Sequence, residues 1–209
     1  MVMESQGKIW DKLYSSKLKW HFEAIGEYDV KGKRVLELGV GTGKTLRKLI
    51  KGNPKSVTAI DISKEAVKIA NREIKDDKVK IIVGDVREME FEEGEFDVII
   101  CNYVLNNLLE GDRIRAVSEI KRVLAKEGEI YFEDFAVGDF RQKGNEKKEG
   151  KIVEKNTVVK ENGLICHFFD EKQINGVFKG MNIDVKTKEF KPFRGMGEKR
   201  KIVNAIISS

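Results

Sequence analysis

From residue 34 onward, short apolar runs alternate with longer stretches in which apolar positions recur every three or four residues. The runs are Arg34–Leu38, Ser56–Ile60, Val79–Val83, Phe96–Cys101 and Glu129–Glu133. Each is nearly continuous in apolar character, as strands covered on both faces are. Between them, Lys44–Lys51, Lys64–Lys75 and Asp112–Ala125 predict helices. Ser63 suits the N-cap of the second, since its hydroxyl accepts from the first free backbone N–H groups. This alternation predicts βαβ units and a doubly wound, mostly parallel α/β sheet.

The flanks read differently. Lys8–Gly26 predicts a helix carrying Trp10, Leu13, Tyr14, Leu18, Phe22 and Ile25. After the fifth strand, Gly138–Gly150 is polar and basic and reads as a loop. Lys151–Lys160 and Leu164–Phe169 predict two strands joined at Glu161-Asn162-Gly163. Asn-Gly favours such a turn because both residues tolerate positive φ. Asp170 is placed to cap a short helix reaching Lys179, and strands follow near Ile183–Phe190 and Lys199–Ile207. The expected layout is one domain: an N-terminal helical cap (1–30), a core (31–135), an insertion with a hairpin (136–170) and C-terminal strands (171–209).

A chain of 209 residues suits one domain with a core that needs no staples. Cys101 and Cys166 both sit in apolar runs, so buried free thiols in a reducing compartment are expected. The first residues carry charge early and lack an apolar signal segment, and no stretch has the length to span a bilayer. A soluble, cytoplasmic protein follows as the expectation, with no membrane partner. The net charge of +5 permits an RNA partner without requiring one.

The most informative segment is Glu37-Leu38-Gly39-Val40-Gly41-Thr42-Gly43-Lys44-Thr45, where a strand enters a glycine-rich turn ahead of a helix. Glycines let the backbone approach a ligand, and the helix start offers unpaired N–H groups. A Walker P-loop requires a glycine where Leu38 stands, and a dinucleotide fingerprint requires one where Lys44 stands. The chain instead has Glu-x-Gly-x-Gly-x-Gly, and an acid before the first glycine suits a ligand bearing an ammonium and repels a pyrophosphate. A nucleotide-binding enzyme using a near-P-loop stays open as a remote alternative at this point.

Further acids follow at the carboxyl ends of the next two strands, Asp61 in Ala59-Ile60-Asp61-Ile62-Ser63 and Asp85 in Val83-Gly84-Asp85-Val86. An open α/β sheet forms its ligand crevice at such ends. Together with Phe96-Asp97-Val98-Ile99-Ile100-Cys101-Asn102 and Lys121-Arg122-Val123-Leu124-Ala125-Lys126-Glu127-Gly128-Glu129, this set resembles class I S-adenosylmethionine-dependent methyltransferases over about residues 33–133. The resemblance implies their Rossmann-like, seven-stranded fold, with an extra β-hairpin near the C-terminus here. It implies S-adenosyl-L-methionine as cofactor and S-adenosyl-L-homocysteine as product. It places Gly39, Gly41 and Gly43 against the cofactor's amino-acid end with Glu37 near its ammonium. Asp61, with Ile62, falls at the ribose, and Asp85, with Val86, at the adenine. Tyr14 and Asn102 would close over the amino-acid end and the methyl-transfer side. A catalytically silent partner protein on the same fold is a further alternative.

Methyl transfer from a sulfonium demands alignment and exclusion of water, and a general base only for a protonated acceptor. No catalytic residue stands out. Tentative acceptor-side residues are Asp134, Arg141 and His167, with entry over the end of the fifth strand. No metal is expected, because carboxylates with Asn or His do not assemble into a ligand set. The tail, Val158–Asp170, is similar to the hairpin of tRNA 3-methylcytidine methyltransferases, and Trp10-Asp11-Lys12-Leu13-Tyr14 echoes the same family. That similarity implies a tRNA base nitrogen as acceptor, with Lys143, Lys147, Lys148 and Lys151 on phosphates. A small-molecule metabolite is the alternative. The oligomeric state stays open.

Overall fold

Seven strands form one sheet in the order β3-β2-β1-β4-β5-β10-β9, and the reversal of winding between β1 and β4 opens the crevice in which a site can form. The strands are β1 (Arg34–Leu38), β2 (Ser56–Asp61), β3 (Val79–Val83), β4 (Phe96–Asn102), β5 (Leu124–Phe135), β9 (Asn182–Phe190) and β10 (Arg200–Ser208). β1 to β5 pair in parallel, while β10 lies antiparallel to both β5 and β9. The computed structural model describes residues 6–16, 26–147, 150–190 and 199–209.

The continuous apolar runs are explained by two covered faces. Val35, Ala59 and Ile100 pack on α2 (Lys44–Lys51) and α3 (Lys64–Glu73) through Leu46, Leu49 and Ala70. Leu36, Leu38 and Ile99 face the opposite layer, where α4 (Glu110–Val123) and α6 (Glu171–Val177) supply Ala116, Ile120 and Ile174. Successive strand side chains point to opposite faces, so both parities must be apolar.

Ser63 caps α3 as expected, accepting from Ala66 N. A carboxylate reinforces it: Asp11, on α1 (Gln6–Ser15), accepts from Ser63 Oγ at 2.7 Å and from Glu65 N at 3.1 Å. This ties α1 across the crevice mouth. Leu18, Phe22 and Ile25 of the longer predicted helix lie outside the described residues. Asp170 caps α6 with a reciprocal Gln173 contact, a full capping box.

The tail departs from the expectation in three ways. Lys151–Lys160 is two strands, β6 (Lys151–Glu154) and β7 (Thr157–Val159), which reverse at Lys155-Asn156, where Asn156 has φ +60°. Asn tolerates the left-handed region, so it turns the chain where apolar content alone suggested one strand. The predicted hairpin is present as β7 and β8 (Ile165–His167), closed at Gly163 with φ +80°. The strands form a separate sheet, β6-β7-β8. The predicted loop after β5 contains α5 (Phe140–Lys147). Both cysteines are buried and free.

Candidate active site

The glycine loop leaves β1 with three residues in the left-handed region: Gly39 at φ +71°, Gly41 at +53° and Gly43 at +76°. They do different work. A Cβ on Gly41 would lie 2.9 Å from Tyr14 Oη, and one on Gly39 would lie 2.7 Å from Val104 Cγ2. A Cβ on Gly43 would instead meet Ile74 and Ala70 at the start of the α2–α3 packing. Gly39 and Gly41 therefore face the crevice, and Gly43 serves close helix packing.

Asp61 holds this loop from the end of β2. Its Oδ2 accepts from Gly41 N at 2.9 Å and its Oδ1 from Ser63 N at 2.9 Å. Burial raises its carboxyl above the ordinary range despite these two donors. Glu37, one strand over, is buried, and its Oε2 has no partner. Burial, then the charge of Asp61, pushes the Glu37 carboxyl well up. A buried acceptor in this state fits an adjoining cation, which would restore its charge. Glu37 sits behind the loop and does not line the cavity wall.

Two contiguous cavities lie beside the loop and share Trp10, Tyr14, Gly39, Tyr103 and Asn107. The first, about 100 Å³, is bounded by Asp61, Ile62, Asp85 and Val86. Asp85 pairs with Arg87 at 2.6 Å, and Arg87 reaches Asp112 at 2.7 Å. Burial alone would raise the Asp85 carboxyl, but the Arg87 hydrogen bonds outweigh it and hold it below the ordinary range. The second cavity, about 190 Å³, adds Asn102, Asn106, Phe135, Arg141, Lys160 and Cys166. Asn102 Nδ2 donates to Tyr28 Oη at 2.9 Å, which fixes its amide at the wall. Tyr14 stays protonated, because burial and then the Asp61 charge raise its phenol. Two acids, a glycine cradle without room for a Cβ and the Glu37 acceptor together fit a nucleoside joined to an amino acid.

The tentative acceptor residues separate. Arg141 lines the second cavity, its guanidinium 4.9 Å from the Phe135 ring centre and 5.0 Å from that of Phe140. Asp134 does not reach the cavity: it is fully buried, with Oδ2 accepting from Asn106 N at 3.0 Å and Oδ1 from Phe135 N at 2.8 Å. Its place is beneath the 3-10 turn Leu105–Asn107, which it holds against the wall. His167 faces the other side of β8, in a groove with Arg113 and Gln173. Its Nδ1 bonds Thr157 Oγ1 at 2.7 Å. Cys166 lines the second cavity as a neutral thiol, pushed up to about 11 by burial.

Burial, then the Arg113 charge, brings His167 down to about 3. Between there and about 6.5 the unfolded chain binds the proton and the folded chain does not, so stability rises with pH. One proton of difference gives about 1.4 kcal/mol per pH unit. Wild type is expected to lose stability from pH 6.5 to 5 in urea unfolding, and His167→Gln to lose less by about that slope. Equal slopes in the two proteins would contradict the buried neutral imidazole.

Tyr103, Asn106 and Phe135 were not singled out from sequence. Tyr103 carries φ +56° and lines both cavities, a strained position of the kind found at functional sites. Its side chain hydrogen-bonds Glu133. Its adjacency to Asn102 at the end of β4 was the available signal. Among the described residues, no group of His, Cys, Asp and Glu is arranged to hold a metal ion, and no helix is long and apolar enough to cross a membrane.

Residues 36–132 match the family model described as "Methyltransferase domain". The chain is 31% identical over 154 residues to the uncharacterized protein MJ1123 of Methanocaldococcus jannaschii, covering 72% of this chain and 69% of that one. It is 27% identical over 194 residues to the tRNA N(3)-methylcytidine methyltransferase Mettl2 of Drosophila melanogaster, covering 81% of this chain and 59% of Mettl2. The chain spans about half the length of several curated relatives that it matches. In fold it is similar to the crystal structure of a SAM-dependent methyltransferase from Methanosarcina mazei, with a TM-score of 0.71, 24% identity and coverage of 86% and 93%. Loop, crevice acids, strand order and family match agree, and the chain belongs to the S-adenosylmethionine-dependent methyltransferase family.

Proposed function

We propose that this protein transfers a methyl group from S-adenosylmethionine to a ring nitrogen of a nucleobase in tRNA. The observation that carries the proposal is the second cavity's wall: flat rings of Trp10, Tyr103 and Phe135, cationic side chains, and Asn106, which is 3% exposed with Oδ1 unpartnered. Rings offer stacking surface to a base, and an unpartnered amide oxygen matches a base-edge donor. S-adenosylmethionine supplies a methyl group already activated by its positive sulfur.

The chain's own residues then have to orient and dehydrate. Gly39 and Gly41 bring backbone against the amino-acid end, with Glu37 behind it. Asp61 and Asp85 accept from the ribose hydroxyls and the adenine amine. Trp10 and Tyr14 cover both cavities and exclude water. A ring nitrogen that carries no proton brings its own lone pair, so no proton need leave first. The surroundings agree: both Asp134 oxygens accept from backbone, His167 faces away and Cys166 is neutral. Mettl2 is named for a tRNA ring nitrogen, and its similarity extends over 81% of this chain, well past residues 36–132.

A small anionic metabolite is the second reading, favoured by Arg141 and Lys160 in the wall. A labelled-methyl assay on bulk tRNA beside a metabolite extract separates the two. Incorporation into tRNA is expected, with affinity falling at a log–log slope of about −0.7 to −0.9 for each phosphate neutralised. Lys151 is exposed at the start of β6 and available for such contacts. Lys148 and the side chains of Lys143 and Lys147 lie outside the described residues. Salt-insensitive transfer to a metabolite, with none to tRNA, would end the tRNA reading.

A further inference from the structure

The second cavity has a marked charge balance. Its described wall includes Lys44, Arg141 and Lys160 and no Asp or Glu. Lys44 opens α2 beside the glycine loop, on the cofactor side. The other two come from α5 and the segment after β7, and both line the same wall as Cys166. Arg141 is held in place, stacked on Phe135 and Phe140, with its backbone N–H donating to Asp139 Oδ1 at 3.0 Å. Burial, then the neighbouring Arg200, brings its guanidinium down to about 10, so it remains a cation at neutral pH. Asp139, fully buried, stands 3.8 Å from both Arg141 and Arg200 and accepts from two backbone amides. A fixed, partly dehydrated guanidinium beside an ammonium is a strong recogniser of a phosphate ester.

We infer that the acceptor brings a phosphate ester next to its reacting base, seated between Arg141 and Lys160 on the wall formed by α5 and the small sheet. The acceptor is thus a nucleotide and not a free base or nucleoside. This rests on the nucleobase reading and adds a specificity element to it. The phosphate positions the base, and Asn106 with the aromatic wall completes the orientation. The phosphate's source is a free nucleotide or a link of a chain, and the chemistry at Arg141 is the same for both.

The test is calorimetry on the full chain saturated with S-adenosylhomocysteine. The four nucleoside 5′-monophosphates and the four parent nucleosides are titrated in turn, beside a trinucleotide. At least one monophosphate or the trinucleotide is expected to bind about ten- to a hundredfold tighter than the parent nucleoside, the span of one charge-assisted hydrogen bond. Arg141→Gln should erase that difference and Arg141→Lys should keep part of it, with S-adenosylhomocysteine affinity serving as the fold control. Tighter trinucleotide binding assigns the phosphate to a chain, and tighter monophosphate binding to a free nucleotide; both uphold the inference. Equal binding of charged and neutral probes, binding of neither, or a preference that survives both Arg141→Gln and Lys160→Gln overturns it. Methylation of tRNA without any phosphate preference would overturn this inference and leave the nucleobase reading standing. Arg141-dependent methylation of a carboxylate metabolite, with tRNA inert, would overturn both.

Discussion

Gly41→Val is expected to abolish S-adenosylhomocysteine binding, a loss of at least about a hundredfold, in a chain that still folds. Two independent effects act at this residue. Its φ of +53° lies in the left-handed region, where a β-branched side chain is strained. The added Cβ also falls 2.9 Å from Tyr14 Oη, well inside contact distance. Tyr14 is half-buried on α1, and α1 is tied to α3 through Asp11, so relieving the contact requires the ring to swing off the loop. The loop must deform or the cover must lift, and either removes the surface that meets the cofactor's amino-acid end. Gly41→Ala should fall between the two. Calorimetry with S-adenosylhomocysteine, beside a thermal melt, checks this. Wild-type affinity in a folded Gly41→Val protein would show that the cofactor lies elsewhere.

Asp61→Ala is expected to weaken S-adenosylhomocysteine binding ten- to a hundredfold, since a charge-assisted hydrogen bond is worth roughly 1.5–3 kcal/mol. The structure adds a second consequence. Gly41 N and Ser63 N both donate to this carboxylate, so alanine strands two backbone donors. Each unsatisfied buried donor costs about 1–3 kcal/mol. Affinity and stability should therefore fall together. Asp61→Asn keeps a single acceptor oxygen and should lose less of both. If Asp61→Ala destabilises the chain yet binds as wild type does, Asp61 braces the loop and does not touch the ribose.

These two residues differ in how they became visible. Gly41 was legible because the Glu-x-Gly-x-Gly-x-Gly spacing needs residues that adopt positive φ, and the structure puts all three glycines there. The same spacing could not separate Gly39 and Gly41, which face the crevice, from Gly43, which faces Ile74. That distinction depends on where α3 packs. Asp61 was legible as an acid at a strand end, but its hold on Gly41 joins residues twenty positions apart and requires β2 to lie beside β1.

The acceptor side shows the boundary more sharply. Asp134, Arg141 and His167 all lay in the right stretch of chain, and only Arg141 lines the cavity. A carboxylate's availability depends on what covers it: Asp134 is fully buried beneath the 3-10 turn, whereas Asp61, also held by two backbone amides, lines a cavity. An imidazole's depends on which face of a strand it occupies, and β8 turns His167 toward Arg113. The parallel core and the glycine loop were legible in the sequence, because apolar runs, glycine spacing and strand-end acids are local signals. The left-handed Tyr103 and the placement of Arg141 and Lys160 on one cavity wall became visible only in the folded chain. Each of these arises from contacts between segments distant in the chain, where burial and partner geometry override what any single stretch prefers.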